Sequence, residues 1–200
     1  ARLIAERTAQ SPERRRAVRQ RVHELLVREV PNLRTTIIGF YWPFRAEVDL
    51  VRLVRELLAG GSQATLPVVV QKRQPLEFWR WTPGMAMQPG IWDIPVPGVA
   101  DLVQPELLLV PLVGFDEGGY RLGYGGGYYD RTLAAMPRRT LAIGVGYEFQ
   151  RLATIDPQPF DVPMDAVVTE AGIRWHDRPT PNAGDEPIEC SSPPCLLGEF

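Results

Sequence analysis

Cysteine is scarce: of 200 residues only Cys190 and Cys195 carry a thiol, both within the last eleven positions. No disulfide framework can therefore staple the rest of the chain, and the usage fits a reducing, cytoplasmic setting. Four residues separate the pair, which matches neither a Cys-x-x-Cys redox motif nor half of a zinc site. Histidine is nearly as rare, and His23 has no partner motif around it, so it reads as structural. Lysine is reduced to Lys72 against 21 arginines. That is coding bias first, although guanidinium groups also suit two-pronged recognition of phosphate and carboxylate. No apolar run reaches the roughly 18 residues of a membrane-crossing helix, and no signal-peptide pattern opens the chain. With a net charge of −2 there is no basic excess, so neither nucleic acid nor a membrane is an expected partner. The first residue is Ala1 rather than methionine, and a short N-terminal segment is expected to precede it.

What the chain does hold, in one place, is glycine. The apolar run from Leu109 to Val113 reads as a strand buried on both faces. Six glycines follow between Gly118 and Gly127, and a helical pattern begins at Tyr128. Strand, glycine loop, helix is an arrangement whose backbone N–H groups and positive helix end can wrap an anion. A plain turn is the competing reading, but a turn needs one or two glycines. This loop also interleaves Arg121, Tyr124, Tyr128, Tyr129 and Asp130, which supply a cation, hydroxyls and a carboxylate. It is neither a Walker A sequence, lacking Gly-Lys-Ser/Thr, nor a Gly-x-Gly-x-x-Gly dinucleotide motif.

The remaining pattern alternates helix and strand. Ser11-Pro12-Glu13 is a helix start with a hydroxyl cap, a first-turn proline and a carboxylate at the positive end. Ala17, Val18, Val22, Leu25 and Leu26 form its apolar stripe, and the arginines between them read as a solvated face or as a basic rim that attracts a nucleotide. Strands are expected over Thr35–Trp42, Ala64–Val70, Thr140–Tyr147 and Asp165–Thr169, with helices after Glu47, over Tyr128–Met136 and over Gln150–Ile155. An antiparallel strand or hairpin fits Leu76 to Trp81, where Trp79 and Trp81 read as packing or lid residues ahead of ring stackers. Pro83 to Gly98 is a long loop of the kind that carries function. The alternation predicts an α/β fold: an open, mainly parallel Rossmann-like sheet flanked by helices, in one domain over 1–176. Five prolines and five acidic residues between 177 and 200 predict a disordered tail.

Arg121-Leu122-Gly123-Tyr124-Gly125-Gly126-Gly127-Tyr128-Tyr129-Asp130, preceded by Pro111-Leu112-Val113-Gly114-Phe115-Asp116, resembles the signature of the 5-formyltetrahydrofolate cyclo-ligases, also called methenyltetrahydrofolate synthetases. Leu66-Pro67-Val68-Val69, Trp92-Asp93-Ile94-Pro95-Val96-Pro97 and Asp161-Val162-Pro163-Met164-Asp165-Ala166-Val167-Val168-Thr169-Glu170 follow in the family's order, so the resemblance covers about Thr35 to Ile173. It implies a fold similar to the sugar-phosphate isomerase and CoA-transferase-like group. It also implies ATP-dependent conversion of 5-formyltetrahydrofolate to 5,10-methenyltetrahydrofolate, with ATP and Mg2+ required and a reduced folate as substrate; a monomer is the default.

Carried over residue by residue, the resemblance implies that ATP is bound by Arg121, Leu122, Gly123, Tyr124, Gly125, Gly126, Gly127, Tyr128 and Tyr129. The folate would be read by Glu47 together with Tyr124, Gly125, Gly126, Gly127 and Tyr128, and the metal held by Asp130 and Asp161. Tyr128 and Arg121 would serve catalysis. Each has a bland alternative: Glu47 as a helix-dipole partner, each aspartate as a capping residue. The chain departs at Gly126 from those family members that carry a lysine there, and at Val96, where members commonly carry a glutamate. The family's basic segment, a lysine followed closely by Leu-Arg, would fall before Ala1; Arg2 and Arg7 are the nearest cations and neither sits in the matching context. A non-catalytic folate or sugar-phosphate sensor on the same fold is the second hypothesis, disfavoured by Glu47, Asp130 and Asp161 together.

Overall fold

Residues 1–137 and 140–177 are described by a computed structural model. The chain begins with a helix the sequence pattern did not announce, α1 (Arg2–Thr8), ahead of the expected α2 (Pro12–Glu29). The Ser11 hydroxyl caps α2 by accepting from the Arg14 N–H at 3.2 Å. β1 (Ile37–Gly39) leads through an irregular segment to α3 (Val51–Ala59), which ends at Gly60; β2 (Gln63–Val68) and β3 (Glu77–Trp81) follow. The long proline-rich loop folds back on itself as a small hairpin of β4 (Met87–Pro89) and β5 (Pro95–Pro97). β6 (Leu107–Pro111) is the apolar run, and a second small hairpin, β7 (Gly114–Phe115) with β8 (Arg121–Leu122), hands the chain to the glycine loop and α4 (Tyr128–Ala135). β9 (Leu141–Val145), β10 (Ala166–Thr169) and β11 (Gly172–Trp175) complete the chain's elements among the described residues.

One sheet carries the order β11-β10-β9-β6-β1-β2-β3. Its five inner strands run parallel, and each edge strand is antiparallel to its neighbour. The chain builds outward from β1 through β2 to β3, then returns to β6 and builds the other way. The order therefore reverses between β1 and β6, the place where open α/β sheets bind ligands beyond the strands' carboxyl ends.

Alternation along the inner strands supplies both cores. Leu107, Leu109, Ile143, Val145, Ala166 and Val168 pack with Val18, Val22, Leu25 and Leu26 of α2 and Leu53, Val54 and Leu57 of α3. Leu108, Val110, Ala142 and Val167 face the other way, onto Phe115, Met164 and Leu133 of α4. Two-sided burial is why β6 reads as an unbroken apolar string. Each valine, leucine or isoleucine among them contributes about 1.5–3 kcal/mol on burial.

Several expectations shift. Ala17 is exposed and drops out of the α2 stripe. The arginines of α2 take the solvated-face reading through pairs such as Arg14–Glu170 at 2.5 Å and Arg19–Asp49 at 3.7 Å. His23 meets the Asp49 carbonyl at 3.0 Å, a structural contact. The helix expected over Gln150–Ile155 is instead a single 3-10 turn at Glu148–Gln150. Gln150 is buried there, accepting from the Tyr147 N–H at 2.8 Å and donating to the Val113 carbonyl at 2.8 Å, and those bonds tie the segment down before a helix can grow. Trp81 packs in the core against Phe40, centroids 5.2 Å apart. The expected disordered tail, with both cysteines, lies outside the described residues apart from Asp177.

Candidate functional site

A cavity of about 650 Å³ opens over the carboxyl ends of β1, β2 and β6. Tyr41 and Trp42 beyond β1, Pro67 and Val69 at β2 and Pro111 at β6 form its floor. The whole stretch Arg121 to Asp130 lines it, as do Glu47 and Asp161, so the cavity gathers every residue that the resemblance assigned to ATP, folate or metal.

The glycine loop owes its shape to left-handed backbone. Gly125 has φ 92°, and Gly127, at φ 60° and ψ 15°, is the residue from which α4 starts. L side chains rarely tolerate that region, so the turn that brings the loop N–H groups and the α4 N-terminus to one wall needs glycine there. Gly126 has no side chain to offer the cavity; the Arg131 guanidinium of α4 bonds its carbonyl and lies 5.3 Å from the Tyr128 ring centre.

Arg121 opens β8 of the β7–β8 hairpin with its guanidinium nearly buried. Nη2 pairs with Asp130 Oδ2 at 2.9 Å and Nη1 donates to the Val162 carbonyl at 3.3 Å, with the Tyr129 ring centre 5.6 Å away. The hairpin is itself tied by Asp116, whose carboxylate accepts from the N–H groups of Gly118, Tyr120 and Ile155. Asp161 accepts from the Gln158 N–H at 2.8 Å, and burial, with a further contribution from the Asp130 charge, raises its carboxyl above the usual range. Two carboxylates on one wall, one of them influenced by the other's charge, are a hard-oxygen donor set that fits a magnesium ion retaining several waters. Among the described residues no three acidic, histidine or cysteine side chains gather into a denser metal cluster.

Glu47 does not begin a helix. It lies in the irregular segment four positions before α3, where the Phe44 N–H donates to its Oε2 at 3.0 Å and the Tyr124 hydroxyl to its Oε1 at 2.9 Å. The helix-dipole alternative thereby fails, since Asp49 accepts from the Val51 N–H and takes that position. Burial pushes the Glu47 carboxyl up to about 7, opposed by the Arg7 guanidinium, the Phe44 N–H and the Tyr124 hydroxyl. Phe44 and Trp92 stack nearly parallel, centroids 6.0 Å apart, and Tyr124 closes the group at 6.0 and 5.9 Å. Trp92 holds its place with φ 56°, a strained value for a large side chain.

Sequence reasoning missed Arg7 and Phe44. Arg7 stands in no motif, and only its position on the inner side of a short helix reveals that it is buried.

A family model described as the 5-formyltetrahydrofolate cyclo-ligase family matches residues 1–170. The 5-formyltetrahydrofolate cyclo-ligase of Haemophilus influenzae is 34% identical over 134 residues, 64% of this chain and 72% of that protein. The enzyme of the same name from Escherichia coli K12 is 29% identical over 174 residues, covering 84% of this chain and 96% of its own. Among solved structures, the 5,10-methenyltetrahydrofolate synthetase of Aquifex aeolicus superposes with a TM-score of 0.76 at 31% identity, covering 87% of this chain and 89% of that one. That of Mycoplasma pneumoniae gives 0.68 at 25%, covering 84% and 94%. By the match of its sequence and of its fold, the chain belongs to the 5-formyltetrahydrofolate cyclo-ligase family.

Proposed function

We propose that the protein uses ATP to convert 5-formyltetrahydrofolate to 5,10-methenyltetrahydrofolate, releasing ADP and phosphate. The observation that carries this is the single cavity shared by Glu47 and the glycine loop, which offers a planar donor–acceptor ligand and a polyphosphate adjoining walls. In this reading the formyl oxygen forms a bond to the γ-phosphorus as the bond to the ADP oxygen breaks. The second folate nitrogen then attacks the formyl carbon, its proton is lost, and the carbon–oxygen bond breaks to release phosphate. Phosphoryl transfer of this kind is mainly positioning and charge stabilisation.

The residues divide that work. Glu47 accepts from the amino and ring N–H groups of the pterin, as planar donor–acceptor pairs allow. Loop N–H groups between Gly123 and Gly127 cradle phosphate oxygens, with Leu122 and Tyr129 as walls and Tyr124 at the junction of the two ligands. Arg121 sets its positive charge beside the transferring group, and the Tyr128 hydroxyl orients the formyl or γ-phosphate oxygen. Asp130 and Asp161 would hold Mg2+, which supplies charge neutralisation when bound. We take residues 1–176 to act as one domain, as a monomer in the cytoplasm; no described helix is long and apolar enough to cross a membrane. Mixing protein, Mg-ATP and 5-formyltetrahydrofolate should produce the methenyl chromophore with one ADP per product. ATP consumption indifferent to the folate, or no chromophore at all, would sink the reading.

A further inference from the structure

Arginine is almost never fully buried unless its charge and donors are matched. Arg7, the last inward-facing residue of α1, is 1% exposed. Its Nε donates to the Arg45 carbonyl at 2.9 Å and its Nη1 to the Leu112 carbonyl at 2.9 Å. Nη2 donates to the Tyr124 hydroxyl and stands 3.7 Å from Glu47 Oε1. The three segments so joined are the turn that delivers Glu47, the chain leaving β6 and the glycine loop. The first of these is strained: Arg45 and Ala46 have φ 48° and 60°, consecutive left-handed residues that carry side chains. Arg7 bonds the carbonyl of one, and the Tyr147 hydroxyl donates to the carbonyl of the other at 3.0 Å.

We propose that Arg7 is a positioning residue for folate recognition: through the Arg45 carbonyl and the Tyr124 hydroxyl it aims the Glu47 carboxylate into the cavity, so that the folate end of the site exists only while α1 is docked. This rests on the function proposed above. The geometry is reinforced by charge. The titratable groups that face Glu47 are Arg7 from α1 and the phenols of Tyr41, Tyr124, Tyr129 and Tyr147 from beyond β1, the glycine loop, α4 and beyond β9. The phenols are neutral near pH 7, and their own ionisation is pushed further up by burial. Arg7 is thus the cation that opposes the burial of Glu47, and its charge favours the acceptor form that a pterin needs.

The test compares Arg7→Met and Arg7→Lys with the parent protein. Arg7→Met should raise the folate KM about tenfold and leave the ATP KM alone. It should also move the pH dependence of kcat/KM for folate upward by about one pH unit, because Glu47 then ionises later. Arg7→Lys keeps a charge but loses the fork, so it should restore most of the pH profile and only part of the folate KM. Carbon-13 carboxyl titration of Glu47 in the unliganded proteins should rank the midpoints Met above Lys and parent. That titration also separates the two readings, since a parent protein without turnover overturns the function while the Arg7–Glu47 coupling is still decided. Arg7 is merely structural if both variants lose melting temperature with unchanged pH profiles and Glu47 midpoints, or if the ATP and folate KM rise together. Should Arg7→Met not fold, Arg7→Lys decides: a parent-like folate KM overturns the proposal.

Discussion

Two arginine–carboxylate pairs serve one cavity, and they differ in what holds the arginine. Arg7 gives its donors to two backbone carbonyls and a phenol, and meets Glu47 only at 3.7 Å. Arg121 meets Asp130 directly at 2.9 Å and a carbonyl at 3.3 Å, in side chains 4% and 15% exposed. The first is a strut between three segments. The second is a direct ion pair at the cavity wall, where the proposed function would have a ligand's charge meet it. A planar, largely neutral ligand end needs fixed acceptors, whereas a polyphosphate end needs charge that can be shared with the incoming oxygens.

The contrast can be broken most severely at the phosphate wall. Gly125→Val puts a side chain on a residue at φ 92° and should take ATP binding beyond detection by calorimetry, with circular dichroism still that of a folded protein. Normal ATP affinity in the folded variant would remove the loop from the nucleotide site. Next in size, Asp130→Asn and Asp161→Asn should each lower kcat on the order of 100-fold, weaken the magnesium dependence and leave folate affinity nearly unchanged. Unaltered magnesium titrations in both would refute the metal assignment.

The folate side should respond more modestly. Glu47→Gln leaves a buried pterin donor unmatched, at about 1–3 kcal/mol, so the folate KM should rise about tenfold or more with little change in melting temperature. A stability loss with unaltered folate affinity would instead make Glu47 structural. Its carboxyl, pushed up to about 7, also gives a pH signature. The folded protein holds the Glu47 proton more tightly than the unfolded chain, so this group's contribution to stability is present at low pH and shrinks as pH rises from 4.5 to about 7. Folate recognition runs the opposite way and should improve through the same window. Both slopes should vanish in Glu47→Gln, measured by melting and by folate KM from pH 5 to 8. The smallest effect belongs to a site outside the comparison: Ser11→Ala removes the α2 cap at about 1 kcal/mol, a shift of roughly 2–4 °C in Tm, with unchanged kinetics.

How far the sequence revealed these two regions follows from their distance along the chain. That Arg121 to Asp130 would share one wall of the cavity was legible because they are contiguous, and glycine, arginine and aspartate each carry a recognisable local role. The inner strands were legible because two-sided burial writes an apolar run. Glu47 was legible only through the family pattern, since its helix-start reading depended on where α3 begins, and Asp49 moved that start. Arg7 had no local signature at all, as its burial is decided by Arg45, Leu112 and Tyr124 from three distant segments. The 3-10 turn at Glu148–Gln150 replaced a helix for the same reason: a buried glutamine satisfied by the distant Val113 outweighs local propensity.

The reach of Arg7 has a consequence for how the protein is made. Its bonds to Leu112 and Tyr124 close loops of 105 and 117 residues. Contacts so remote in sequence carry a loop-closure cost that must be met before they reward folding, and so they slow the search for the native state. On a ribosome adding roughly 5–20 residues per second, α1 must wait on the order of 6–23 s before Tyr124 has even been joined to the chain. Through that interval Arg7, only 1% exposed in the folded protein, still lacks the Tyr124 hydroxyl that its guanidinium will bond.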